Sequence, residues 1–397
     1  MSAAEIEALL TPELREWVSA HRADDPHRLA LQKHPPGFPT ALAVGQVALL
    51  QKAAAKLPKM VAAQCILTQR AYEQSTSEVL SSQKPWGKGA TALDLTCGLG
   101  CDSFAIAGKY DALMSLEPNP ELAKIVEFNA GLLGIQNITL VNQSAEDFLS
   151  GYDGTQFDLI YADPDRRDAT GKRVFGLQDC QPNVLELMPL LRKHGKRILI
   201  KASPMLDLQA IQKQFPEGVF VWVLSEANEC KEILIEPDPL AAGTGAIFVR
   251  KGNSGKVMST MEARFIPTWD ANDQAAYILE CDVALYVAGL AHVCMDNAEL
   301  RGGMLSPEGY YYSLDDDPEF HGHRYKILAD WPLKPQAIKA GLKSRGIQKV
   351  QYSKRDFDLP LEQVRKQIGL PEGGEYFLLL TRYGEKGRWA FLAERLV

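Results

Sequence analysis

The chain has 397 residues, 46% hydrophobic and 23% charged, an ordinary globular composition with length for two or three separately cored domains. No stretch reaches the apolar length that spans a bilayer, and Met1 to Leu10 carries Glu5 and Glu7 where a secretory leader would be basic, so the reading is a cytoplasmic protein. A net charge of −7 argues against indiscriminate coating of nucleic acid, and seven scattered cysteines without a C-x-x-C pair argue against a disulfide framework or a zinc site. His321 and His323 form an H-x-H with no third ligand type beside them and read as a solvated loop, so no metal is assigned.

In chain order, residues 1–88 show helix-like apolar spacing, as in Leu42, Val44, Val47, Leu49 and Leu50, interrupted by Pro35, Pro36 and Pro39; they predict a helical cap. Residues 89–250 alternate short apolar runs with helical stretches, the pattern of a parallel sheet with crossover helices. Strands are expected at Ala92–Leu95, Leu113–Glu117, Ile138–Val141, Leu159–Ala162 and Arg197–Lys201, with helices beginning near Ser103, Pro120, Pro182 and Leu206. Val219–Leu224, Lys231–Glu236 and Ala246–Arg250 follow with connections too short for a helical crossover, so at least one of them runs antiparallel. Residues 251–397 predict a further α/β module: strands at Val283–Val287 and Tyr310–Ser313, then helix Pro335–Ser344, strand Ile347–Tyr352, helix Pro360–Ile368 and strands Tyr376–Arg382 and Trp389–Glu394. From Arg324 onward there are 15 Lys/Arg against 8 Asp/Glu, a net of +7, leaving 28 against 42, or −14, before it. That basic end is either a phosphate-contacting surface or a solvated lysine-rich helix face.

The string Leu93-Asp-Leu-Thr-Cys-Gly-Leu-Gly100 ends a strand with an acid and turns through glycines into a helix. Gly98 and Gly100 let the backbone turn at positive φ and let a cofactor lie against it, and Asp94 can take an ammonium directly or through water. The third glycine of a dinucleotide fingerprint is Ser103 here, which disfavours nicotinamide binding. Glu117 closes the next strand 19 residues after Gly98, where a carboxylate accepts both ribose hydroxyls; as an isolated feature it is equally a helix N-terminal charge. Tyr161-Ala-Asp-Pro-Asp-Arg-Arg167 follows the fourth strand. There Asp163 can hold an amino group or accept a proton, Pro164 stiffens the turn, and Arg166 and Arg167 can pair with phosphate; the competing reading is a structural ion-pair network. Lys201, at the end of the fifth strand, is either a salt-bridged residue or a substrate contact.

These motifs resemble the class I methyltransferases, in which D-L-x-C-G-x-G is common among RNA-modifying members. The resemblance implies a Rossmann-like α/β fold with a seven-stranded sheet, and S-adenosylmethionine as cofactor with S-adenosylhomocysteine as product. It places Asp94, Thr96, Gly98, Gly100, Asp102, Glu117, Pro118 and Asp163 around that cofactor. After the third strand, Ser144, Ala145 and Asp147 stand where relatives contact the adenine, although Ser144 occupies the position of the usual acid. Glu73 and Ser75, in Glu73-Gln-Ser-Thr-Ser77, resemble the segment that folds over the methionine end; a capped helix start is the alternative. The loop Asp163-Pro-Asp-Arg resembles the D-P-P-x loops of amino- and base-methylating enzymes, with Asp165 replacing the second proline. Pyrimidine C5 enzymes of related form carry a thiol at the segment Lys201-Ala-Ser-Pro-Met205; its absence favours a nitrogen, oxygen or purine carbon as methyl acceptor. Together with the E-C-K-E string at Glu229–Glu232 and the basic C-terminus, the pattern resembles bacterial methyltransferases with a C-terminal THUMP-like domain. This implies RNA as partner, with Arg345, Lys349, Lys354 and Arg355 as phosphate contacts. The alternatives are a methyltransferase for a small molecule or protein, an RNA-binding adaptor without catalysis, and a nicotinamide oxidoreductase.

Overall fold

The computed structural model describes residues 2–165, 176–238, 240, 242–250, 253–259, 275–292, 301–306, 308–318, 320 and 322–396. Arg166, Arg167, His321 and Cys294 lie outside the described residues. The chain divides into two compact units, residues 1–226 with 231–242, and residues 227–230 with 243–397.

The first unit opens with seven helices: α1 (Ala3–Leu10), α2 (Pro12–Ala20), α3 (Pro26–Leu31), α4 (Thr40–Ala53), α5 (Pro58–Ala62), α6 (Gln69–Gln74) and α7 (Glu78–Gln83). Their starts are locally encoded: Ser2 and Glu5 form a reciprocal capping box, and Asp25, Thr68 and Ser77 each accept a backbone N–H of the helix they precede. The sheet elements follow as β1 (Gly89–Asp94), α8 (Cys101–Ala107), β2 (Tyr110–Leu116), α9 (Pro120–Leu132), β3 (Ile138–Val141), α10 (Ala145–Gly151), β4 (Leu159–Ala162), α11 (Val184–His194), β5 (Ile198–Ala202), α12 (Leu208–Gln214), β6 (Val219–Glu226) and β7 (Glu229–Pro237). Strand order is β3-β2-β1-β4-β5-β7-β6. The first five strands pair in parallel and β7 pairs antiparallel to β5, as the short late connections required.

One face of this sheet packs on α10, α11 and α12 through Leu149, Leu187, Leu191 and Ile211, which meet Ile160, Ile200 and Ile233. The N-terminal helices bury Leu9, Leu14, Val47, Leu50, Met60 and Leu67 together with Leu99, Cys101 and Ile125 of α8, α9 and the turn before α8. Asn129, fully buried on α9, locks that contact: its amide accepts from Ile66 N at 2.8 Å and donates to Ile66 O at 2.9 Å.

The second unit contains β8 (Gly243–Arg250), β9 (Asn253–Ser259), β10 (Tyr277–Cys281), α13 (Val283–Val287), β11 (Gly302–Met304), β12 (Tyr311–Ser313), β13 (Gly322–Pro332), α14 (Pro335–Ser344), β14 (Val350–Lys354), α15 (Leu361–Ile368), β15 (Glu372–Arg382) and β16 (Arg388–Leu396). β8 and β9 form an antiparallel hairpin. Its larger sheet has the order β11-β12-β10-β13-β16-β15-β14, antiparallel except for β14 with β15. The helices α14 and α15 cover one face through Ile338, Leu342, Val364 and Ile368, packed on Leu378, Leu380 and Leu392. The strand expected at Val283–Val287 is the helix α13: the Asp282 side chain accepts from Ala284 N and caps it, so a local cap overrides the β-branched composition.

Candidate functional site

The carboxyl ends of β1, β2, β4 and β5 lie side by side in the sheet order, and most of the expected cofactor and catalytic residues stand there. After β1 the backbone turns at Gly98 (φ +55°) and Gly100 (φ +88°), the latter preceding α8. A Cβ on Gly98 would meet only the Thr96 carbonyl oxygen, at 4.0 Å, so this strip of backbone is open to a flat ligand. At Gly100 a Cβ would lie 2.7 Å from the tip of the Phe104 ring, which would have to shift, and the left-handed φ itself favours glycine.

Glu117 reaches back to that turn. Its Oε2 accepts from Gly98 N at 3.0 Å and its Oε1 from Asn119 N at 2.9 Å, which fixes both oxygens at the end of β2. Burial pushes its carboxyl up, opposed by those two bonds. Each oxygen keeps a second acceptor site, which matches the two hydroxyl donors of a ribose diol. Pro118 stands exposed beside it.

Asp94 is fully buried. Its Oδ1 accepts from Thr96 N at 2.9 Å and its Oδ2 from Ser103 Oγ at 2.5 Å, while burial raises its carboxyl to about 7. The serine in place of the third dinucleotide glycine thus has a defined task. Thr96 in turn accepts Asp163 N at 2.6 Å, tying the loop after β4 to the turn after β1.

Asp163, its side chain 34% exposed, accepts from Lys201 Nζ through Oδ2 at 2.6 Å. Lys201 also donates to Thr76 Oγ1 at 3.1 Å and lies 3.5 Å from Glu232 Oε2. Glu232 pairs at 2.9 Å with Lys84, whose ammonium lies 2.7 Å from Asp102 Oδ2. Tyr161 and Ser81 hydroxyls donate to the two oxygens of Asp102 at 2.6 and 2.7 Å. Burial opposes the charge of Lys201, but Asp163, Glu232 and Asp102 outweigh it and hold the ammonium well above its usual range. Burial likewise opposes ionisation of Asp102, yet Lys84 and Lys201 hold it at about 2. The structure therefore joins Asp163 and Lys201, while Asp102 has both oxygens engaged within the network.

Thr76, Lys84 and Glu232 belong to this network and were not singled out individually from the sequence. Glu232 reaches the site because β7 runs antiparallel to β5, with Ala202 opposite Ile233, a register hidden until the hairpin direction is known. Lys84 sits in a turn-rich stretch with no pattern to mark it. Pro164 is buried, and with Leu177, Cys180, Lys201, Ser203 and Leu206 it lines a small cleft. The Cys180 thiol in that cleft donates to Gly176 O at 3.3 Å. Asp165 accepts from Arg70 and Gln74 at 3.3 and 3.4 Å, drawing α6 over the loop. Glu73 accepts from Gln69 one turn away, and Ser75, at the end of α6, donates to Tyr72 O. Ser144 caps α10 by accepting Asp147 N at 3.1 Å while donating to the Asp147 carboxylate at 2.9 Å, and Ala145 is buried as the first residue of that helix.

In the second unit, Arg345 and Lys349 are exposed, the Arg345 guanidinium lying over Trp331 at 5.7 Å. Lys354 donates to Phe357 O and Leu359 O, and Arg355 pairs with Glu280 at 2.9 Å and lies over the Tyr286 ring. No described helix is long and apolar enough to cross a membrane.

Residues 322–395 match the family model described as THUMP domain-like, so the chain carries a THUMP-like segment at its C-terminal end. Uncharacterized RNA methyltransferases of Streptococcus pyogenes serotypes M1 and M3 are each 26% identical over 122 residues, 30% of this chain and 27% of theirs. The chain thus spans about a quarter of the length of these curated relatives. The crystal structure of a "putative methyltransferase" from Porphyromonas gingivalis W83 superposes with a TM-score of 0.80 at 24% identity, covering 100% of both chains. The chain therefore shares the fold of that structure.

Proposed function

We propose that this chain is a cytoplasmic S-adenosylmethionine-dependent methyltransferase whose acceptor is an N–H-bearing nitrogen of an RNA base. The observation that carries the reading is the pairing of a Glu117-clamped glycine turn with a lysine-held carboxylate, Asp163, at the next strand end. Glu117 and the Gly98 backbone would hold the ribose and Thr96 the loop that carries Asp163, while Asp94, buried with both oxygens engaged, orders the turn in place of the expected ammonium contact. When bound, the cofactor supplies a methyl group activated on sulfur. The remaining task for the protein is orientation, which well-placed groups accomplish by holding the acceptor in line. With Lys201 cationic at 2.6 Å, Asp163 offers a fixed carboxylate that accepts a hydrogen bond from the acceptor nitrogen and aims its lone pair at the methyl carbon. The excess proton of the methylated nitrogen then leaves to solvent.

The relatives' names and the THUMP-like segment support RNA as substrate, and Arg345 and Lys349, exposed in that segment, would meet phosphate. Calorimetry tests the cofactor half directly. The protein is expected to bind S-adenosylhomocysteine and not NAD, and Glu117→Ala to weaken that binding at least about ten-fold, as loss of a charged hydrogen-bond partner implies. Binding of NAD in its place would overturn the reading.

A further inference from the structure

We propose that the buried charge cluster ending in Asp163 makes the cofactor position selective for a cation, so that the sulfonium cofactor binds more tightly than the neutral thioether left after transfer. The inference rests on the methyltransferase reading and concerns five charged groups of the first unit. Lys84 lies between Asp102 and Glu232 at 2.7 and 2.9 Å; Lys201 lies between Asp163 and Glu232 at 2.6 and 3.5 Å. Two lysines thus serve three carboxylates, and the cluster carries one net negative charge. Among the surrounding described groups, Arg70 pairs with Asp165, the cations Lys56 and Lys231 lie within electrostatic reach together with Glu226, and Asp94 adds negative charge when ionised.

Four of the five members are sealed, with side-chain exposures of 0% for Lys84, 3% for Glu232, 10% for Asp102 and 13% for Lys201. Asp163 alone reaches the surface, at 34%, with Oδ2 held by Lys201. The excess charge is therefore presented at Asp163, the one place where a ligand can meet it. Its backbone N–H is bonded to Thr96, so the carboxylate sits at the turn after β1, on the side away from Glu117 and β2. A cofactor with its ribose at Glu117 would cross β1 toward β4 and bring its sulfur end to the Asp163 side. Methyl transfer removes the positive charge from that sulfur, which removes the attraction and favours product release. A unit charge about 6 Å from a partly exposed carboxylate, at an effective dielectric of about 40, between the protein-surface value and that of water, corresponds to roughly a ten-fold preference.

Titration calorimetry on the full chain, with S-adenosylmethionine, the amine analogue sinefungin and S-adenosylhomocysteine, tests this without any methyl acceptor. The two cations should bind about ten-fold more tightly than S-adenosylhomocysteine at low salt. Asp163→Asn should bring all three within about three-fold by weakening the cations alone, and Asp163→Glu should restore part of the difference. Glu232→Gln, shown folded by its thermal transition, should shift the ratio the same way from a position that touches no ligand. Equal affinities in the unaltered protein, or a preference that survives Asp163→Asn, would overturn the inference while leaving the cofactor reading intact. Failure to bind any of the three would overturn that reading and the inference with it.

Discussion

Gly98 and Gly100 stand two residues apart on one turn, both at positive φ, and their surroundings give them different work. Alanine at Gly100 meets the Phe104 ring at 2.7 Å as well as the left-handed strain, so Gly100→Ala should lower stability by about 2 kcal/mol or more, visible in thermal or denaturant unfolding. Alanine at Gly98 has open space, so Gly98→Ala should cost about 1 kcal/mol of stability and lose cofactor binding through the methyl group it places on the open strip. Asp94 makes a separate prediction in pH. Its folded-state value, about 7, lies above that of the unfolded chain, so its contribution to stability is full below about pH 4 and is lost as pH rises toward 7. Asp94→Asn should flatten the fall in unfolding free energy across that window, and an unchanged slope would remove Asp94 as its source. These glycines and acids were legible in the sequence because they stand at fixed offsets from strand ends. Lys84 and Thr76 were not, since their partners Asp102, Glu232 and Lys201 are distant along the chain and come together only through the sheet order.

At the scale of elements, the expected strands of the first sheet and their crossover helices correspond closely to β1 through β7, because buried parallel strands produce apolar runs bounded by turn signals. The second unit was less legible. β10 and β13 were not anticipated, and α13 was expected as a strand, because a five-residue segment such as Val283–Val287 has too little periodicity to distinguish the two states. The start of α10 illustrates how one residue can fit two readings. Ser144 stands where a cofactor contact was expected, and in the structure its hydroxyl caps the helix. Removal of that cap by Ser144→Ala should lower stability by about 1 kcal/mol, with Ser144→Asp retaining most of it, as measured by denaturant unfolding. A pure cofactor contact would instead leave unfolding unchanged while weakening S-adenosylhomocysteine binding.

For the whole molecule, a sheet whose first five strands run parallel and a basic THUMP-like segment occur in one chain, and the charge division was visible in sequence as −14 before Arg324 and +7 from it onward. Composition alone does not assign RNA recognition to the basic segment, because a lysine-rich helix face yields the same count. Lys354 and Arg355 show why: both are basic, yet their charges are turned to backbone carbonyls and to Glu280. The most direct measurement is incubation with methyl-labelled S-adenosylmethionine and separated tRNA and rRNA fractions from cells lacking the protein, alongside Asp163→Ala. Label should enter one RNA fraction and disappear with Asp163→Ala; confirmed cofactor binding with no label in any RNA fraction would contradict the assignment of RNA as the methyl acceptor.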